Sequence, residues 1–175
     1  MPNYYSPHFT VDTPTALVGT SADSPRIKVT PGLRHGGVKH THALIDISGT
    51  LLATTQVLRM FTMKSSDRIL EMYLTNTHTG TLTFDVGIYL AGPTHDGAVE
   101  DANLFATITD GTAATRTALF ADILSDLDRG KAIWELNGDT VDPIVDYDVC
   151  LTAVTVTTVT EGSSLLEVEY KAGGE

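Results

Sequence analysis

Three histidines stand close together in the first quarter of the chain: His35, His40 and His42. In an extended backbone, His40 and His42 point to the same face, because alternate side chains of a strand share a face. Two such imidazoles can bind a transition metal, but the site needs at least one further ligand. On a symmetry axis, copies of one histidine could supply it. The alternative is that these histidines are solvated or lie at an interface.

Acidic side chains form three groups that could bind calcium. They are Asp96, Glu100 and Asp101; Asp122, Asp126 and Asp128; and Asp139, Asp142, Asp146 and Asp148. None has the register of an EF-hand loop, which places a glutamate at its twelfth position. Solvated loop acids are therefore the favoured interpretation. A glycosidase with paired carboxylates is a further hypothesis, but almost any acidic protein contains carboxylates that would meet its criterion.

No motif for covalent catalysis is present. The chain has no GxSxG elbow, no Gly-rich phosphate-binding run, and a single cysteine, Cys150, which lies in an apolar segment and is predicted to be a buried small hydrophobe. Tyr89, on the outward side of its strand, and Trp134 are the candidates for a sugar-binding platform. Trp134 is predicted to pack in the core instead, between Ile133 and Leu136. We expect no catalytic residues, cofactor or resident metal.

Composition limits the partners. The formal net charge is −11 at pH 7, so an approach to nucleic acid or to anionic lipid would be opposed by the field of the protein. A single cysteine excludes an internal disulfide and favours folding in the cytosol. The first ten residues resemble no export signal, and no apolar run reaches the roughly 18 residues of a membrane span.

Alternation of apolar and polar residues predicts strands along most of the chain. The clearest case is residues 81–91, where Leu82, Phe84, Val86, Ile88 and Leu90 share one side. Further strands are predicted at 43–47, 56–63, 68–75, 104–108, 147–156 and 166–170. A loop is predicted between Gly92 and Asn103. A shift of phase at Val154 and Val156 is typical of a bulge or of a strand buried on both faces.

One helix of about three turns is predicted where the period changes, from Leu119 to Leu127, with Gly130 as its end; the alternative is a long irregular crossover. Residues 1–42 are rich in Pro, Gly, Ser and Thr. They are predicted to form an extended arm that docks on a neighbour or remains a loosely ordered tail. Residues 43–175 are predicted to form one β-sandwich domain.

The fold class that follows is all-β: an antiparallel β-sandwich, jelly-roll-like, with one short helix and an extended N-terminal arm. A length of 175 residues suits a single domain.

The order of features after Thr81 resembles that of small structural proteins of tailed-bacteriophage virions, of the head decoration or cement type. The resemblance rests on the segments TFDVGIYLA, DGAVEDANLFAT, AIWELNG, YDVCLTAVTVTT and LLEVEY. It covers roughly the last hundred residues. It implies an oligomerising sandwich, often a trimer, that clamps neighbouring capsid subunits from outside, and it carries over no functional residue.

The function expected from this resemblance is that of a non-enzymatic virion protein on the outer surface of the head. Its partners would be the major capsid protein and other copies of itself, with no nucleic acid and no membrane. The alternative hypothesis is a carbohydrate- or receptor-binding module of a phage tail or fibre. A hydrolase with a carboxylate pair is a third hypothesis.

Overall fold

The computed structural model describes residues 3–5, 37–46, 52–78, 80–110, 115–119, 126–157, 159 and 161–173. Strands dominate these residues, because Val, Ile, Thr and aromatic side chains suit a pleated, half-buried surface. The strands are β1 (Asn3–Tyr5), β2 (Val38–Asp46), β3 (Val57–Lys64), β4 (Arg68–Asn76), β5 (Thr81–Leu90), β6 (Val99–Asp110), β7 (Thr115–Ala118), β8 (Asp146–Thr157) and β9 (Ser163–Lys171). A 3₁₀ turn (Asp126–Asp128) and a short helix, α1 (Ile133–Leu136), precede β8.

The strands form two sheets. Sheet A has the order β1-β3-β8-β5-β6, and sheet B has the order β2-β9-β4-β7. The antiparallel pairs β2–β9, β3–β8, β4–β7 and β5–β6 are nested, with the β5–β6 hairpin at the centre. A long two-stranded ribbon folded over itself produces this pattern, which is that of an eight-stranded jelly roll. The predicted antiparallel sandwich is confirmed.

The core lies between the two sheets. Leu82, Phe84, Val86 and Ile88 are completely buried on the inner face of β5, so the alternation that predicted this strand is confirmed. They belong to one hydrophobic cluster with inward residues of sheet B such as Leu166. One face of each sheet packs in the core, so a shift of the strand pairing by one residue would turn all of these core side chains to solvent. The register of the strands is therefore well determined.

The predicted bulge in the penultimate strand is confirmed. Thr155 pairs with Thr83, whereas Ala153 pairs with Phe84, so Val154 is the extra residue of β8. An extra residue reverses the side-chain alternation beyond it, which explains the change of phase in the sequence.

The predicted helix from Leu119 to Leu127 falls mainly on residues 120–125, which lie outside the described residues. Before them, Thr115–Ala118 forms β7 and Leu119 is buried; after them, a 3₁₀ turn ends at Asp128. The α-helix within the described residues is Ile133–Leu136. There the Glu135 carboxylate accepts the Ala132 N–H at 2.7 Å, which satisfies a donor at the start of the turn.

Two boundaries also differ from expectation. β6 begins at Val99, inside the loop predicted from Gly92 to Asn103, and β2 runs from Val38 to Asp46, across the expected division between residues 42 and 43. β2 begins earlier because it pairs with all of β9. The arm itself falls mainly on residues 6–36, which lie outside the described residues, while β1 pairs in parallel with β3.

The elements define two ends of the sandwich. The loop end, as we call it, consists of the β3–β4 turn (65–67), the β5–β6 loop (91–98), the described part of the β7–β8 connection (126–145) and residues 171–173. Backbone hydrogen bonds join these segments, among them Trp134 N to Ser65 O at 3.1 Å and Ala91 N to Asp146 O at 3.0 Å. No helix in the described residues is long and apolar enough to cross a membrane.

Candidate functional site

The densest group of charged side chains is buried at the loop end of sheet A. Arg59 of β3 and Asp148 of β8 form an ion pair of 2.7 Å, with side chains 2% and 0% exposed. Thr62 donates to the second carboxylate oxygen at 2.8 Å. The Arg59 guanidinium also donates to the Gly97 carbonyl at 2.9 Å and lies 5.3 Å from the centre of the Tyr89 ring. These partners compensate the cost of burying both charges.

His95 connects this pair to the β5–β6 loop. Its Nδ1 lies 3.0 Å from Asp148 Oδ1, and its backbone has a left-handed φ of 54°. Histidine adopts this conformation more readily than most residues. Asp148 of β8 thus binds side chains from β3 and from the β5–β6 loop, and the network fastens residues 91–98 to the sheet.

Cys150 is the thiol that lies beside this group. A His–Asp pair acts in catalysis when the histidine activates a nucleophile. Cys150 lies nearby, with Sγ 3.4 Å from the Asp148 carbonyl, but burial raises the pKa of its thiol far above the ordinary range, so the thiol remains protonated. The prediction that Cys150 is a buried small hydrophobe is confirmed.

The sequence contains a signal for this network, which the alternation of apolar residues alone does not reveal. Arg59 interrupts the apolar run VLRMF, and Asp148 interrupts YDVC. A charge inside a buried strand requires a partner. Each interruption therefore predicts a buried ion pair. The two residues are 89 positions apart, so the sequence alone does not identify the partner of either one.

The histidines lie as predicted on one face. His40 and His42 point outward from β2 on sheet B, with ring centroids 5.8 Å apart, and His40 Nε2 is 3.8 Å from Glu167. His35 lies outside the described residues. Within the described ranges, no group of three His, Cys, Asp or Glu side chains is arranged to hold a metal ion.

The rest of this outer face is a ladder of charged and aromatic groups. The Arg116 guanidinium lies 3.8 Å from the centre of the Tyr73 ring, and Arg116 Nε is 3.3 Å from Glu167. The Tyr73 hydroxyl donates to Glu71 at 2.6 Å. This hydrogen bond lowers the pKa of Glu71 and raises the pKa of Tyr73. The face is therefore a polar surface with its groups paired across strands.

Several loop acids have structural roles. Asp142 accepts the Ser65 hydroxyl at 2.5 Å and the Ile144 N–H at 2.9 Å, and Asp139 accepts the Asn137 amide at 3.2 Å. Asp148 belongs to the buried pair. Asp122 lies outside the described residues. These contacts do not assemble the acidic groups into a calcium loop of the EF-hand kind.

The two aromatic candidates for a sugar platform are wholly or partly buried. Tyr89 lies on the face of β5 opposite the core, as predicted, but it is only 8% exposed. It packs with Val57 and Cys150, the Arg59 guanidinium lies over its ring, and its hydroxyl shares a 2.9 Å hydrogen bond with Thr152. Trp134 is half-buried on α1, whereas Ile133 is the residue of that turn that enters the core.

Exposed aliphatic side chains are concentrated at the loop end. Among the described residues, the large hydrophobic side chains that remain exposed at or next to this end are Val38, Val99, Leu127, Val141 and Ile144. The others are Leu44, on the outer face of sheet B, and Val154, at the bulge. A cluster of exposed apolar side chains at one end of a sandwich is typical of a surface that contacts another molecule.

The chain was compared with known proteins. It is similar to a chain in a structure titled "Capsid of Ralstonia phage GP4", with a TM-score of 0.60, 20% identity, and coverage of 86% of this chain and 94% of that one. It is also similar to a chain of the "Cyanophage Pam1 capsid asymmetric unit", with a TM-score of 0.52, 15% identity, and coverage of 89% and 99%. The likeness establishes a shared fold. No protein-family model and no curated protein sequence matches this chain.

Both similarities extend over nearly the whole of the other chain. The jelly roll of this protein is therefore equivalent in extent to an entire chain in each of those capsid structures, and not to one domain of a larger chain.

Proposed function

We propose that this protein is a non-enzymatic structural protein of a phage virion, which binds the outside of the capsid and stabilises it by bridging neighbouring subunits. The observation that carries the proposal is the likeness in fold, over almost their full length, to two chains from phage capsid structures. The major capsid protein is the proposed partner, and a homotrimer is the proposed oligomer.

Two properties of the chain support the outer location. The net charge of −11 opposes contact with a packaged genome. The sandwich is rigid, because its sheets share one core and its β5–β6 loop is fastened by buried charges. A rigid body with an exposed apolar end can bury area on a neighbour with little loss of conformational entropy.

The proposal is tested with capsid shells of the phage that encodes this chain, assembled without it. Added protein should co-sediment with the shells and raise the temperature at which they disrupt. Light scattering of the free protein should give the mass of a trimer. Shells that neither bind the protein nor gain heat resistance would disprove the capsid role, and saturable binding to a host glycan would then favour the tail or fibre alternative.

A further inference from the structure

The loop before β8 presents two aliphatic side chains almost entirely to solvent. Val141 is 73% exposed and Ile144 is 87% exposed. Isolated exposed aliphatic residues are common on protein surfaces. These two differ because they are three residues apart in one short loop and share the loop end with Val99, which is 53% exposed.

The loop that carries them is held rigidly. Asp142 accepts the Ser65 hydroxyl at 2.5 Å and the Ile144 N–H at 2.9 Å. Val145 N donates to Ser65 Oγ at 3.2 Å, and Ser65 N donates to the Val145 carbonyl at 2.8 Å. The β3–β4 turn thus fixes the loop on both sides of Ile144. Side chains presented in a fixed position lose little entropy on binding.

Ile144 is also in a strained backbone conformation. Its φ is 53°, in the left-handed region, which a β-branched residue very rarely adopts. Gly or Asn would occupy this position without that strain. Strain retained at an exposed position has no benefit for the fold, so it indicates that the isoleucine side chain is required for contact with something else.

The surroundings of the two anchors are acidic. Asp139, Asp142 and Asp146 flank them in sequence, and neither residues 69–115 nor residues 132–170 include any Lys or Arg. Glu100 follows Val99 directly at the start of β6, so this end carries an acid from a second element as well. Arg68, Arg129 and Lys131 are held in ion pairs with acids of this chain. This end also carries Lys64, which pairs in register with Asp146, and Lys171.

We infer that the loop end is the face that docks on the capsid, with Val141 and Ile144 as its apolar anchors. The surface that receives them is an apolar hollow bordered by Lys and Arg side chains on a protein other than a second copy of this chain. A second copy would bring an equally acidic end, and like charges would oppose that contact. This inference rests on the proposed function and adds the face and the chemistry of the partner.

The decisive variant is Ile144→Asn, which removes the anchor and accepts the left-handed conformation. We expect binding to the shells to weaken by about tenfold or more. The melting midpoint of the free protein should stay equal or rise by about 2–4 °C, because strain is relieved. Val154→Asn, which alters an exposed β-branched residue at the opposite end, is the matched control and should bind normally.

Two further variants test the arrangement. Ser65→Ala should speed amide exchange at Val145 and weaken shell binding, although it leaves both anchors in place. Wild-type binding should weaken as sodium chloride is raised, and Glu100→Gln should reduce this salt dependence, because carboxylates near the anchors pair with bases of the partner.

Each contrary result has a distinct meaning. If wild-type protein binds shells and Ile144→Asn binds equally well, the docking inference is wrong and the capsid role stands. If Leu44→Asn abolishes binding instead, the outer face of sheet B is the contact and the inference is again wrong. A self-association that Ile144→Asn abolishes would replace the basic partner by a second copy. Failure of wild-type protein to bind would overturn both proposals.

Discussion

Arg59 and Asp148 show how a few buried residues determine the shape of a surface that they do not reach. Their ion pair is inaccessible to water, yet through Gly97 and His95 it holds the β5–β6 loop at the loop end. An ion pair of this kind contributes little net stability when complete, but removal of one partner leaves a buried charge without compensation.

We therefore expect Asp148→Asn to lower the free energy of unfolding by about 3–5 kcal/mol. Urea unfolding followed by circular dichroism would measure this loss. The control is Glu135→Gln, which removes the charge from the exposed pair of 3.2 Å between Arg68 and Glu135 and should cost less than about 1 kcal/mol. If both variants lose the same free energy of unfolding, the buried ion pair does not hold the β5–β6 loop in place.

Tyr147 predicts how stability depends on alkaline pH. Burial raises the pKa of Tyr147 in the folded protein to about 12, against about 10 in the unfolded chain. Between these values the folded state binds more protons than the unfolded state, so the stabilisation is complete below pH 10 and is lost as pH rises toward 12. Ultraviolet titration should show a late tyrosinate step that Tyr147→Phe removes. If the step that Tyr147→Phe removes lies near pH 10, the prediction is wrong.

At the scale of elements, the β5–β6 hairpin combines a regular half with an irregular half. From Thr83 to Val86 the two strands pair residue by residue, but Ile88 pairs with Asp101, so β6 contains extra residues opposite Gly87. A Cβ on Gly87 would overlap the backbone of Asp101 and Ala102. Phe105 is one of these extra residues and is fully buried, so a glycine at this point allows the backbone of β6 to approach closely while Phe105 enters the interior.

Gly97 has a similar role where the loop returns to β5. A Cβ there would overlap the Leu90 carbonyl oxygen, so Gly97→Ala should force the loop away from the sheet and cost about 1–3 kcal/mol. Gly37→Ala is the matched control, because open space surrounds that position. Thermal unfolding would compare them, and equal midpoints would mean that the loop moves without cost.

At the scale of the whole molecule, the two sheet edges and the two ends of the sandwich have different characters. β1 pairs in parallel with β3 at the edge of sheet A. Its residues Asn3 to Tyr5 align with Val57 to Arg59 at the start of β3, so β1 lies away from the loop end, where β3 terminates. The N-terminal region and the loop end are thus placed to contact different neighbours. Bridging of capsid subunits, as proposed, needs two such separate surfaces.

Deletion of residues 1–36 leaves β2 intact, since that strand begins at Val38. We expect the truncated protein to fold and to bind shells, but to raise their disruption temperature less than the full chain, because one of the two contacts is missing. Sedimentation and calorimetry of the shells would measure the two properties separately. Equal heat resistance with both proteins would show that the arm makes no bridging contact.

The sequence by itself determined the class of the fold and the inner face of its strands. Alternation in β5 and the change of phase at Val154 are local patterns, because the face of a strand follows from a period of two residues. The same period of two places His40 and His42 on one face, although the strand was expected to begin only at residue 43. The helix predicted from Leu119 to Leu127 falls mainly outside the described residues.

Only the tertiary structure decided which charges meet and which apolar residues stay exposed. Arg59 and Asp148 are 89 residues apart and become partners because β3 and β8 pair. Val38, Val99, Val141 and Ile144 come from separate parts of the chain and reach one end because the ribbon folds over itself. Long-range pairing depends on the closure of the whole jelly roll, and no local spacing encodes it.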